Sequence, residues 1–169
     1  TINAFALPGG QVFITAGLLK NLKSKAQVAG VLAHEIGHVI GRHSAEQLAK
    51  SQLTQGLAGA ATIASYDPDS PGRTAASAAV AAAIAKVVSL RFSRGDELDA
   101  DRQAVKYTGA AGYDPRAMIE VMRILEQAGG RSGGPEFLQT HPNPGNRIGV
   151  LEEEIRKDYP NGVPGGLAQ

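Results

Sequence analysis

An α+β fold dominated by helices is what this sequence predicts, and three observations carry the prediction. Strand-like patterning is confined to the first fifteen residues. There Pro8-Gly9-Gly10 breaks an apolar run, and Gln11 to Thr15 then alternates, with Val12 and Ile14 on one face and Phe13 on the other. Further on, apolar residues recur at helical spacing, as in Met118, Val121, Met122 and Leu125. Helix-start signals punctuate the rest: Ser24 with Gln27, Ser93 with Asp96, and Asp114 before Pro115.

Taken in order, residues 16–22 read as one or two helical turns. The helix capped by Ser24 is expected to run to about residue 50, burying Val28, Val31, Leu32, Ile36 and Val39. Pro68, Pro71 and Gly72 make 66–73 a loop between Ala-rich helices. The run from Thr74 is only weakly apolar and carries Lys86, so it reads as a close-packed helix rather than a membrane span. The helix capped by Ser93 ends near Gly109–Gly112, and Gly129-Gly130 closes the one opened by Asp114-Pro115. A Gly-rich loop at 129–134 leads to Thr140-His141-Pro142. Asn143-Pro144 caps a last helix to about Tyr159, whose Glu152, Glu153 and Glu154 form a solvated face.

The 169 residues suit a single domain over 1–169 with a sizeable core. A start at Thr1, almost at once in strand-like sequence, is expected of a fragment lacking upstream sequence. A net charge of +1 gives no electrostatic case for nucleic acid. The absence of cysteine removes disulfide frameworks, thiolate metal sites and a cysteine nucleophile, and leaves any metal to histidines and carboxylates.

One motif points to chemistry. His34-Glu35-Ile36-Gly37-His38 reads H-E-x-x-H within a helical stretch. At about 100° per residue, His34 and His38 share a face one turn apart and can grip one tetrahedral zinc ion. Glu35 lies about 100° round from His34. That places its carboxylate beside the metal rather than on it, where it suits a general base in peptide hydrolysis.

A catalytic zinc needs a third protein ligand, and three candidates stand in the chain. His43 ends HEIGHVIGRH, one residue early for the metzincin pattern; in a continuous helix it would sit about 140° from His38, out of reach. Glu97 with Asp101 four residues on places two carboxylates on one helix face, one to bind metal and one to accept the other ring N–H of a ligating histidine. The alternative is that both pair with Arg94, Arg102 or a lysine. Asp99 faces away. His141 is either a fourth ligand, an oxyanion donor or a turn residue. Glu97 is preferred as the ligand because it shares a cysteine-free chain with H-E-x-x-H.

Four ordered segments, NAFALPGG at 3–10, HEIGH at 34–38, SRGDELDAD at 93–101 and THPNPGNRI at 140–148, together resemble one family. It is that of the HtpX, BepA, Oma-type and CAAX prenyl proteases, zinc metallopeptidases of the gluzincin group. The resemblance implies a zincin-like fold whose small sheet flanks the active-site cleft with an edge strand. It implies one Zn2+ per chain on His34, His38 and Glu97, with Glu35 as base and Asp101 behind the metal. Asp99 stands where the family usually has glutamate. His141 and Arg147 map to the family's T/S-H-P…R-I segment, whose histidine is associated with self-inhibition; as a separate expectation, either residue could stabilise the oxyanion. Gln11, Val12, Phe13 and Ile14 map to the strand that pairs with substrate backbone. The lack of long apolar spans is similar to the soluble bacterial branch, which implies a periplasmic or envelope location and a role in protein quality control. The partner implied is a polypeptide, with any membrane association left to missing segments or partner proteins. The rival expectations are a non-catalytic zinc chaperone or assembly factor, and a metzincin-like protease using His43.

Overall fold

The computed structural model describes residues 1–52, 91–129, 135–142 and 146–169. The expected loop at 66–73, the Ala-rich helix after it, most of the Gly-rich loop and the Asn143-Pro144 cap lie outside the described residues. What is described is mainly helical, with one small antiparallel sheet of β1 (Ala4–Ala6) and β2 (Val12–Ile14). Their register sets Ala4 opposite Ile14 and Ala6 opposite Val12, with Phe5 and Phe13 stacked at 5.0 Å between them. The turn is closed by Leu7 N–H donating to Gln11 O at 2.9 Å, and Gly10 takes a φ of +89° that side chains resist. Gln11 therefore belongs to the turn rather than to the strand.

Thr15 ends the sheet and begins α1 (Ala16–Leu19), its Oγ1 accepting from Leu18 N. Helix α2 (Lys25–Ile40) starts at Ser24, which accepts from Gln27 N; the Gln27 amide reaches back to Lys23 N–H. The expected run to residue 50 is broken. Helix α2 stops at Gly41, Arg42 takes a left-handed φ of +56°, and helix resumes over 43–52. The buried face also differs from the apolar stripe. Ala26, Gly30, Ala33, Gly37 and the motif residues are buried with Val31, while Ile36 is 40% exposed and Val28, Leu32 and Val39 are half-buried. Small residues win the inner face because a second helix must come close there.

That helix is α3 (Arg94–Ala110), opened by a full Ser93–Asp96 capping box. At the crossing, a Cβ on Gly37 would stand 3.0 Å from Ala100 Cα and 3.1 Å from Ala100 O. Helix α4 (Ala117–Gly129) starts two residues after Pro115 and buries Met118, Val121, Met122 and Leu125 in the core. Asp114 still opens it, accepting from Arg116 N–H at 2.9 Å. A short helix not read from the sequence, α5 (Glu136–Thr140), buries Phe137 in the same core. Helix α6 (Arg147–Asp158) adds Leu151 and Ile155, and its cap is Asn146. Glu152 and Glu153 are exposed, whereas Glu154 is half-buried beside Arg102.

Candidate metal centre

Every donor in the centre is carried on a helix or held by one. The Gly37–Ala100 crossing brings the inner face of α2, with His34, Glu35 and His38, against that of α3, with Glu97 and Asp101. All five are buried to within 1% of full burial. His141 arrives from the end of α5. Its N–H donates to Phe137 O at 2.7 Å, and its ring stacks on Phe137 at 4.2 Å. Phe92, tied to Thr140 O through its own N–H, stacks on His38 at 3.9 Å. Two aromatic rings thus fix two imidazoles in a dehydrated pocket.

The ligand atoms converge. His34 Nε2 is 3.2 Å from His38 Nε2 and 3.5 Å from His141 Nδ1. Glu97 Oε1 is 3.5 Å from His38 Nε2 and 3.0 Å from His141 Nδ1, while its Oε2 is 3.6 Å from His34 Nε2. A tetrahedron with metal–ligand bonds of 2.0–2.1 Å has edges of roughly 3.3–3.4 Å. The four groups are therefore spaced as the corners of a zinc site. Among the described residues, His34, His38, Glu97 and His141 form the one group able to hold a metal ion. Buried atoms without hydrogen-bond partners gather in the same place: both Glu35 oxygens, Glu97 Oε2 and His141 Nε2. Such atoms are costly to leave unmatched, and a cation with its water is what this set would match.

Behind the donors sits an ion-pair layer. Asp101 Oδ1 is 3.1 Å from His34 Nδ1, the ring nitrogen facing away from the cluster. Arg147, 1% exposed, donates to Asp101 from Nε at 2.8 Å and Nη2 at 2.6 Å. Its Nη1 makes an ion-pair contact with Glu97 Oε2 at 2.7 Å, without hydrogen-bond alignment. The oxyanion role expected of Arg147 does not match this placement, because the guanidinium is committed to two carboxylates on α3. Nor do Glu97 and Asp101 pair with Arg94 or Arg102; Arg102 meets Glu154 instead.

Charge in the metal-free protein follows from these contacts. Burial raises the Glu35 carboxyl above its ordinary value. Burial lowers His38 to about 3, which keeps its imidazole neutral as a ligand must be. Burial also acts to raise Glu97, but His141, His38 and Arg147 outweigh it and hold the carboxyl well below the usual range. Burial acts to lower His141, and the charges of Glu97 and Glu35 overcome it. His141 Nε2 lies 3.6 Å from Glu35 Oε1, so this ring touches both the donor set and the expected base.

His43 is not among the donors. The break at Gly41-Arg42 turns it back so that its Nδ1 lies 3.0 Å from His38 Nδ1, on the far side of that ring. The metzincin-like alternative is thereby corrected: the chain bends before His43, and it faces the back of a donor. Asp99, 42% exposed, lies 3.5 Å from His43 Nε2. Sequence reasoning also missed Phe92 and Phe137; Gly41 ahead of His43 was the one local signal of a break. Val12, Phe13 and Ile14 form the edge strand β2, which carries no second partner among the described residues.

Residues 1–155 match the model of Peptidase family M48. The chain belongs to that family. The M48 family is one of zinc metallopeptidases, and the His34/His38/Glu97/His141 group is one that could hold such an ion. It is 36% identical over 165 residues to a putative beta-barrel assembly-enhancing protease of Vibrio cholerae, covering 94% of this chain and 33% of that one. It is 35% identical over 152 residues to the mitochondrial metalloendopeptidase OMA1 of Arabidopsis thaliana, covering 90% and 29%. It is 34% identical over 153 residues to the beta-barrel assembly-enhancing protease of Escherichia coli, covering 87% and 31%. The chain spans about a third of the length of these M48 relatives.

Proposed function

We propose that this M48 chain is the catalytic part of a zinc endopeptidase that cleaves unfolded or misassembled polypeptides of a bacterial envelope. The observation that carries the reading is the meeting of His34 Nε2, His38 Nε2 and Glu97 Oε1 around one point, with the unpartnered Glu35 carboxylate on the next residue of α2. His34, His38 and Glu97 would hold the ion. When bound, zinc supplies Lewis-acid chemistry that acidifies water and polarises a scissile carbonyl. Glu35 takes a proton from the attacking water at one carboxylate oxygen and delivers it to the leaving amine nitrogen. Asp101 Oδ1 stands 3.1 Å behind the outer nitrogen of His34, in contact without hydrogen-bond alignment, where it would orient the ring.

His141 gives this arrangement a latent form. With its Nδ1 at the fourth corner, the position that water and substrate need is filled by protein. Swinging the 135–142 segment outward would free it. Substrate backbone would add along the edge of β2 that has no partner among the described residues, beside the exposed ring of Phe13. The envelope assignment is supported by the two bacterial relatives named for β-barrel assembly, against mitochondrial names for others. Among the described residues no helix is long and apolar enough to cross a membrane.

The test is bound metal measured together with chelator-sensitive cleavage of casein and of an unfolded outer-membrane protein. One zinc per chain, lost with activity in Glu97→Ala, is expected. Parent-like zinc content in Glu97→Ala would overturn the ligand set.

A further inference from the structure

The geometry points to His43 as a positioning residue for the metal site, acting through His38, with Asp99 completing the chain to the surface. This rests on the reading of His38 as a zinc ligand. His38 Nε2 faces the other donors, so to bind a metal there it must present its lone pair and carry its proton on Nδ1. The Nδ1–H then donates to His43 Nδ1 at 3.0 Å, in a buried contact. His43 must accept at Nδ1, which puts its own proton on Nε2, the atom 3.5 Å from Asp99 Oδ2. One tautomer follows from another: a proton on His43 Nε2, the side that meets Asp99, leaves Nδ1 free to accept from His38. The role parallels that of Asp101 behind His34, but is filled by an imidazole five residues along the same stretch.

The backbone is built to make this contact. A continuous helix would carry His43 away from His38, and Arg42 interrupts it with a left-handed φ of +56°. Gly41 leaves room for the returning ring: a Cβ there would stand 2.4 Å from His43 Nε2 and 2.6 Å from its Cε1. Phe92 stacks on His38 at 3.9 Å, and the His38–His43 rings meet edge-on at 5.1 Å. The His38 ring is thus held by an aromatic face and by a bond at its rear nitrogen.

The experiment compares zinc affinity, by chelator competition, in the parent, His43→Ala, His43→Gln, Gly41→Ala and His38→Ala. Ring-nitrogen NMR of the metal-free proteins follows the His38 tautomer. His43→Ala is expected to bind zinc roughly 10–100-fold more weakly. It should also lose the single Nδ1–H form of His38. His43→Gln, whose carboxamide oxygen can accept, should recover part of both readouts, and Gly41→Ala should weaken binding by displacing the ring. Folding is checked by circular dichroism; if His43→Ala does not fold, Gly41→Ala and His43→Gln carry the comparison. Parent affinity and an unchanged His38 tautomer in folded His43→Ala or Gly41→Ala would overturn the inference. Parent affinity in His38→Ala would instead overturn the ligand assignment on which it stands.

Discussion

Arg147 and Asp101 form a two-bond fork at 2.8 and 2.6 Å with neither side chain exposed to solvent. The pair joins the first residue of α6 to the middle of α3, and Nη1 extends it to Glu97. Breaking it leaves two carboxylates buried without their cation. Arg147→Ala is expected to cost about 3–5 kcal/mol, read as a drop in urea midpoint of the metal-free protein. Arg147→Lys should recover little, since an ammonium cannot make the fork. A midpoint unchanged in Arg147→Ala would remove this pair from the account of stability.

Glu35→Gln keeps the shape of the side chain and removes its basicity. Zinc content should stay at the parent value, while casein cleavage falls by roughly 10²–10⁴. Cleavage at the parent rate in a zinc-loaded Glu35→Gln protein would refute Glu35 as the base.

His141→Ala opens the fourth corner without touching the other three donors. Zinc should remain, and proteolysis should rise by about tenfold or more, the gain expected when the open form is roughly 10% or less of the parent population. A fall in activity would instead mark His141 as a donor to the reacting carbonyl.

Away from the metal, Asp114 supplies a stability term with a defined pH window. Hydrogen bonds from Arg116, with Gln169, hold its carboxyl at about 2, below the ordinary 3.8. A depressed carboxylate stabilises the fold fully above its unfolded value and loses that contribution as pH falls through its folded one. The parent should therefore lose stability between pH 4 and 2 more steeply than Asp114→Asn, in denaturation midpoints of the metal-free proteins. Parallel acid limbs would show that the Arg116 contact contributes nothing in solution.

Much of this arrangement was legible because it is local. The His34–His38 spacing, the Ser93 box that sets the phase of Glu97 and Asp101, and the Met118–Leu125 stripe all depend on residues within two turns of one another. What spacing leaves open, the choice among the roles of His141 included, is set by distant neighbours. Arg147 finds Asp101 across 46 residues, and His141 meets His34 across 107; no spacing rule encodes either contact. The inner face of α2 was misread for the same reason. Apolar periodicity favours Val28, Leu32 and Ile36, but the close approach of α3 selects glycine and alanine. The fold-back of His43 depends on a positive φ at an arginine, a conformation that residue type does not advertise. Helix α5 was hidden by the glycines ahead of it; burial of Phe137 and its N–H bond to Ile2 O hold so short a helix in place.

Gly37 occupies one of the two positions that H-E-x-x-H leaves blank, yet a Cβ there would stand 3.0 Å from Ala100 Cα. Its missing methyl sets the gauge between the rail that carries two imidazoles and the rail that carries the carboxylate. A bulkier spacer would spell the same signature while asking α3 to give way at Ala100. A pattern match that ignores this letter counts keys without asking whether they turn.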